Sequence, residues 1–527
     1  MRHYNLADSV FRYSQKQPDS PAIVYKGESC SYKQFATKAF AISLYLKEIP
    51  NWNLRSNTTS RVGILASRNS DACIGLIGAC WAGATYIPIS PKLPKDRVLI
   101  IFSLCNLTAL IVDDEGAKLL TEQVLEHCPK TIIYLGKKPQ ITFHHSSTQI
   151  TSVDSLEKNE PITPPTPMSM DKLAYIIFTS GTTGSPKGVM ISVGAAYQYI
   201  LTIKEHLGLK ASDRALETCE LSFDFSVHNM FSTWVAGASL HILPATMVMN
   251  AVKFVQNSEL SVWNSVPSLA GMLRQMKILQ PNCLPHLRIT VFGGEQLPEG
   301  TAVNWKAAAP NSKIFNLYGP TEATVFCMSQ EIEERIPVTK GRHVVSIGGA
   351  LPFNEAAILD EQGQRLGDDI QGELAIAGSQ LADGYLGMEK LTEERFPVID
   401  GKRWYLTGDL AFRDISGNFH CLGRIDNQVK INGYRIELEE IDAHLRLSCG
   451  EDLVCSIALL QPDGTAKGIV SFVANEVDED KIIATLKAKL PYYMIPSRII
   501  SLKEMPLNAS GKVDRRALLS LLKNDNV

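Results

Sequence analysis

The run Tyr175-Ile176-Ile177-Phe178-Thr179-Ser180-Gly181-Thr182-Thr183-Gly184-Ser185-Pro186-Lys187-Gly188-Val189 has the residue types needed to hold an anion. Glycines let backbone N–H groups turn toward phosphate oxygens, hydroxyls donate further hydrogen bonds, and a lysine supplies a point charge. The spacing is not that of the common P-loop, GxxxxGK[ST]: Gly184 precedes Lys187 by three and Gly188 follows it. An ordinary P-loop kinase or GTPase is excluded on that ground. A bland Ser/Thr/Gly-rich surface loop has the same composition but not the same setting. Here a β-leaning apolar run precedes the loop, and a helix-like segment from about Ser192 to Leu207 follows, with Gly208 as its stop signal.

The elements that must position this loop are legible as alternating patterns. Strand-like runs such as Arg61–Leu65, Ala109–Val112 and Thr131–Tyr134 alternate with helix-like segments through the first 420 residues, implying an α/β fold layered around largely parallel sheets. Residues 72–90 carry no charge and are long enough to span a bilayer, yet they hold Gly75, Gly78, Gly83 and Pro88. They read as a buried helix turning into a strand at Tyr86–Ile89. The Pro-rich stretch 161–167 is a stiff linker into the anion loop. After about Gly423 a helix near 438–447, strands near 453–459 and 469–473, and a helix near 479–490 suggest a small α+β unit.

At 527 residues and 45% apolar content the chain can bury large cores and divide into more than one domain. A net charge of −3 points to neither nucleic acid nor an anionic membrane as a partner. The eleven cysteines form no CxxC and no metal-like spacing, which suits reduced thiols in the cytoplasm. Asp8, Arg12 and Lys16 precede any long apolar run, so no signal peptide is expected.

Five further segments occur in order: Asn316-Leu317-Tyr318-Gly319-Pro320-Thr321-Glu322, Gly372-Glu373-Leu374, Tyr405-Leu406-Thr407-Gly408-Asp409-Leu410, Gly423-Arg424-Ile425-Asp426-Asn427-Gln428-Val429-Lys430, and Asn508-Ala509-Ser510-Gly511-Lys512-Val513-Asp514-Arg515. With the anion loop, they make the chain resemble the adenylate-forming superfamily of acyl-CoA synthetases, luciferases and nonribosomal peptide synthetase adenylation domains. The likeness is greatest to freestanding amino-acid-activating members such as D-alanine–carrier-protein ligases. It implies a large core domain, 1–422, and a small mobile α+β domain, 423–527, hinged near Asp426. It also implies ATP and Mg²⁺ as cofactors, and Thr179, Ser180, Gly181, Thr182, Thr183, Gly184 and Lys187 as the cradle of the β- and γ-phosphates. Glu322 resembles the magnesium ligand, and Asn316, Tyr318, Gly319 and Thr321 the adenine site. Asp409 resembles the ribose ligand and Arg424 a ribose–phosphate contact. The resemblance gives Lys512 the bridging role between substrate carboxylate and α-phosphate, so Lys512, Glu322 and Thr179 form the implied catalytic set. Rotation at the hinge then withdraws Lys512 and presents the face around Lys430–Tyr434 to an incoming thiol.

The segment Phe223-Asp224-Phe225-Ser226-Val227-His228 bears on the substrate. In amino-acid-activating relatives an aspartate here pairs with the substrate α-ammonium, and a buried ammonium needs such a partner. A capping aspartate is the competing reading. The family's pocket positions carried onto this chain are Asp224, Phe225, His228, Asn264, Val291, Gly293, Leu317, Val325 and Phe326. No charged group lines the side-chain end, and Phe225 and Phe326 take up volume, so a small neutral amino acid is expected: threonine or serine, then proline, then alanine. His228 and Asn264 are read as able to hydrogen-bond a hydroxyl. Gly293 departs from the cysteine of D-alanine ligases. With Val527 some fifteen residues after Lys512, the activated group is expected to pass to the phosphopantetheine thiol of a separate carrier protein, as in natural-product biosynthesis. The rivals are a carboxylate–CoA ligase, which has no need of Asp224, and a nucleotide-binding protein without chemistry, which has no need of Lys187, Glu322, Asp409 and Lys512 together.

Overall fold

The computed structural model describes residues 3–50, 52, 59–136, 148–156, 160–181, 185–451, 453–460, 466–474, 476–507 and 513–524. The chain forms two compact units. One comprises Met1–Pro91, Phe102–Phe178 and Gly188–Gly423, the other Lys92–Ile101, Thr179–Lys187 and Arg424–Val527.

The first unit is layered α/β. A nine-stranded sheet runs, in spatial order, Gly349–Ala350, Met328–Ile332, Lys313–Tyr318, Ile289–Gly293, Val262–Ser265, Arg214–Glu217, Ser239–Ile242, Pro21–Tyr25, Glu28–Ser31. Its inner ladders are parallel and its outer ones antiparallel. The inner strands read as near-continuous apolar runs because helices cover both faces of such sheets. An eight-stranded sheet contains Thr85–Ile89, Arg61–Leu65, Ala109–Val112 and Thr131–Tyr134, mutually parallel, and Leu173–Thr179 beside Thr85–Ile89.

The uncharged stretch 72–90 is a helix, Ser70–Trp81, buried at every residue from Ala72 onward, followed by the buried strand Thr85–Ile89. Gly78 lets this helix lie against helix Tyr32–Glu48: a Cβ there would come within 2.7 Å of Ile42. No helix among the described residues is long and apolar enough to cross a membrane. Helix Val193–Leu207 starts with Ser192 accepting a hydrogen bond from the Ala195 N–H and stops at Gly208, φ +63°, as its cap residues foretell.

The strand–helix alternation ends earlier than its pattern suggests. Asn354–Leu359, Gly372–Gly378, Lys402–Arg413, Val398–Ile399 and Phe419–Arg424 pair antiparallel, with one short helix, Glu389–Arg395, among them. The links 400–401 and 414–418, which turn at Gly401 and Gly417 with positive φ, are too short for the crossover of about a dozen residues that a parallel pair needs.

In the second unit, Gln428–Ile431 and Tyr434–Glu437 form a hairpin across Asn432-Gly433, both at positive φ as a two-residue turn requires. Helices Leu438–Cys449 and Glu479–Lys489 pack with the three-stranded sheet Val454–Leu460, Ala466–Ala474, Arg498–Leu502 around Ile436, Ile441, Leu445, Val473 and Leu486.

Candidate active site

Asp224 occupies the N-cap of helix Phe225–Ala236, but its side chain makes no cap hydrogen bond. Its carboxylate faces Tyr175 and Tyr199. Burial first, and this charge after it, hold both hydroxyls well above their ordinary range. Phe225 and His228 follow on the helix. Ring centroids of Phe225 and Phe326 lie 5.0 Å apart, of His228 and Phe326 5.5 Å, and of Phe225 and His228 5.7 Å, all edge to face. His228 Nδ1 is 2.6 Å from the Tyr199 hydroxyl. Burial keeps the imidazole neutral, at about 3, an effect the facing Asn264 amide offsets in part.

The parallel register supplies the opposite wall. Asn264 pairs with Val291, and Gly293 with Leu317, on adjacent strands. A Cβ on Gly293 would sit 2.5 Å from the Phe326 ring, which accounts for glycine at this position. Thr324 and Val325 turn through φ +53° and +69° before Phe326, and a Cβ on Gly319 would meet the Val325 carbonyl at 2.3 Å. The structure thus gathers Asp224 and all eight neighbouring positions within one unit.

In the same unit, Asn316 donates from Nδ2 to the Ser346 carbonyl at 2.8 Å, leaving its buried Oδ1 without a partner. An acceptor so held suits an exocyclic amine such as that of adenine. The Tyr318 hydroxyl donates to Asp409 Oδ2. The register shift between Glu373↔Leu410 and Ala375↔Leu406 bulges out residues 407–409, aiming Asp409 away from the ladder. Glu322, in the short 3₁₀ turn Thr321–Ala323, is fully buried, and its Oε1 accepts a hydrogen bond from Tyr385 at 2.8 Å. Sequence reasoning missed Tyr199, Tyr385 and Gln380, whose partners are distant in the chain.

In the second unit the anion loop meets carboxylates. Ser180 Oγ donates to the Arg435 carbonyl at 2.8 Å, the Gly181 N–H to Glu440 Oε2 at 3.0 Å, and Lys187 Nζ lies 3.3 Å from Glu437 Oε1. Arg97 also bonds Glu440. Thr179 Oγ1 is buried without a partner. Arg424 holds Asp426 with two hydrogen bonds. Burial alone would raise the Asp426 carboxyl, but Arg424 outweighs it and the group sits below its usual range. Thr182, Thr183, Gly184 and Lys512 lie outside the described residues.

The family profile described as AMP-binding enzyme matches residues 10–386. The chain belongs to the AMP-binding enzyme family. It is an adenylate-forming enzyme, and such AMP-binding enzymes use ATP, generally with Mg²⁺. It is 33% identical over 512 residues to surfactin synthase subunit 2 of Bacillus subtilis (strain 168), covering 96% of this chain but 13% of that much longer protein. It is 30% identical over 540 residues to the D-alanine–D-alanyl carrier protein ligase of Bacillus cytotoxicus, covering 98% of this chain and 99% of the ligase. The adenylation domain AlmE of Vibrio cholerae, solved with glycyl-adenosine-5′-phosphate, superposes with a TM-score of 0.86 at 28% identity over 99% of this chain and 98% of that one. The AMP-binding chain fits magnesium in one respect its residues display. Glu322 offers a buried carboxylate of the kind that magnesium combines with phosphates and water.

Proposed function

We propose that this adenylate-forming enzyme activates a small neutral amino acid with ATP and passes the aminoacyl group to the phosphopantetheine thiol of a separate carrier protein in the cytoplasm. The observation that carries the reading is Asp224: a carboxylate at a helix start, unused as a cap, followed on its helix by the uncharged Phe225 and His228. An α-ammonium is the group that such a carboxylate binds. The likeness to a carrier protein ligase over nearly the whole of both chains supports the transfer step.

In this reading the substrate carboxylate attacks the α-phosphorus in line, and the bond to pyrophosphate breaks. Asp224 fixes the amine end, so the carboxylate is presented in one orientation. Asn316 Oδ1 reads the adenine amine, Tyr318 stacks on the base, and Asp409 takes the ribose hydroxyls; the resemblance gives Arg424 the ribose–phosphate. The loop Thr179–Lys187 binds the outer phosphates. Lys512 neutralises charge between carboxylate and α-phosphate, and a hinge at Asp426 exchanges it for the thiol-facing surface. Glu322 would hold the magnesium ion, which supplies charge neutralisation on the phosphates.

The test is product analysis by mass spectrometry with ATP, Mg²⁺ and a small amino acid, offered either a pantetheinylated carrier protein or free coenzyme A. The reading expects AMP, pyrophosphate and an aminoacyl increment on the carrier. Consumption of coenzyme A with amine-free acids would move the chain to the carboxylate–CoA ligases.

A further inference from the structure

Resting on amino-acid adenylation, we infer that the pocket below Asp224 admits a side chain no larger than a methyl group, that of glycine or alanine, and that Tyr199 and Gln380 are the positioning residues that hold its floor closed. The floor is the edge-to-face triangle of Phe225, His228 and Phe326. Phe225 is 5% exposed, Phe326 and Leu317 2%, and His228 and Asn264 1%, so the walls leave almost no surface for a ligand to touch. The Phe326 ring fills the place over Gly293 where any other residue would carry its Cβ.

This closure bears directly on a hydroxylated substrate. His228 Nε2 and Asn264 Oδ1 are both buried, and the Asn264 side chain is turned to the His228 imidazole, so the two polar groups are directed at each other. A threonine or serine hydroxyl reaches them only by displacing a ring from packed surroundings. Proline brings more volume still. Close-packed walls resist such intrusion, because added methylenes force side chains off their rotamers.

Two side chains outside the pocket keep the floor in place. The Tyr199 hydroxyl, wholly buried, bonds His228 Nδ1 and so orients the imidazole edge against Phe225 and Phe326. Gln380 acts on the other ring. Its Nε2 donates to the Phe326 carbonyl at 2.9 Å, its Oε1 accepts from Asn354 Nδ2 at 2.6 Å, and its own carbonyl accepts from Thr324 Oγ1 at 2.5 Å. The segment it grips holds Thr324 and Val325 at positive φ, a costly conformation for β-branched residues that persists only when its surroundings fix it.

The experiment is amino-acid-dependent ATP–pyrophosphate exchange with glycine, alanine, serine, threonine, valine and proline. Glycine or alanine should exceed threonine and proline by about 100-fold in kcat/KM, the range that added methylenes give in a closed pocket. Phe326→Ala, and Phe326→Leu as a milder change, should raise kcat/KM for threonine or valine by about tenfold while lowering it for glycine. Tyr199→Phe and Gln380→Ala should raise KM for glycine and narrow the glycine-to-threonine ratio, with KM for ATP unchanged; a merely structural loss would move both KM values or neither. Preference of the wild type for threonine, serine, proline or valine overturns the size limit and leaves amino-acid adenylation standing. Undiminished discrimination in Tyr199→Phe and Gln380→Ala overturns their positioning role. Exchange with none of the amino acids defeats the adenylation reading itself.

Discussion

Glu217 ends the strand Arg214–Glu217 and carries its carboxylate into the interior, where Oε1 accepts from the Cys219 N–H at 2.5 Å and from Asn229 Nδ2 at 2.8 Å, while Oε2 has no partner. Burial raises the group to about 7, against the opposing pull of Arg68 and these hydrogen bonds. The folded state therefore favours the protonated acid, whereas the unfolded chain ionises near 4.5. The associated stability is fully present below about pH 4.5 and is lost as pH rises through about 7, an effect of roughly 3 kcal/mol. Glu217→Gln should thus be more stable than wild type at pH 9 and nearly equal at pH 5, by thermal unfolding; an identical difference at both pH values would show that ionisation is not involved. His228 has the opposite sign. Its neutral form is favoured in the fold, so its contribution is present above about 6.5 and is lost on acidification toward 3. The sequence singles out His228 as a pocket position but gives no sign of Glu217 or of the partner of His228. Glu217 lies in no motif, and the Tyr199–His228 bond joins positions 29 apart.

At the scale of elements, two features place the chemistry. Segment 380–385 clamps segment 322–326: the Ala382 N–H donates to the Glu322 carbonyl at 2.8 Å, Tyr385 to the Glu322 carboxylate, and Gln380 to the Phe326 carbonyl. The magnesium-binding candidate and the pocket floor are therefore held by one stretch of chain. The other feature is the hairpin Gln428–Glu437, whose last residue meets Lys187 as Gln428 bonds the same carboxylate. With Glu440 on the Gly181 N–H, carboxylates here take the donors that phosphate oxygens would use. On the proposed role of this loop, phosphate binding displaces them, so Glu437→Gln should lower KM for ATP several-fold, of the order expected for releasing a buried ion pair. Steady-state kinetics with ATP varied decides it, and an unchanged or raised KM would mean that the pair does not compete with nucleotide. Helices and parallel strands were legible because caps and apolar runs are local; helix Val193–Leu207 is bounded by Ser192 and Gly208 as its residues foretell. The antiparallel sheet after Met328 was not legible as such. Its short strands carry no signal for partner or direction, and only the short links 400–401 and 414–418 limit the choice.

For the molecule as a whole, membership of the AMP-binding enzyme family was legible because its motifs are contiguous stretches that occur in order along the chain. The proposed pocket positions could be named from the sequence, but not the packing among them. Gly293 reads as a departure from the cysteine of D-alanine ligases, and the structure adds that the Phe326 ring occupies the space its Cβ would take. Volume depends on how side chains from several strands interlock, and no local pattern encodes that. Everything proposed for the substrate converges on Asp224 as the partner of an ammonium. The direct test is ATP–pyrophosphate exchange by wild type and Asp224→Ala, each with glycine or alanine and with acetate or propionate. The account predicts exchange by the wild type with the amino acids alone, and its loss by about 100-fold or more in the variant, as for a buried charged group deprived of its counter-ion. Exchange driven equally by the amine-free acids, or undiminished in Asp224→Ala, would contradict it.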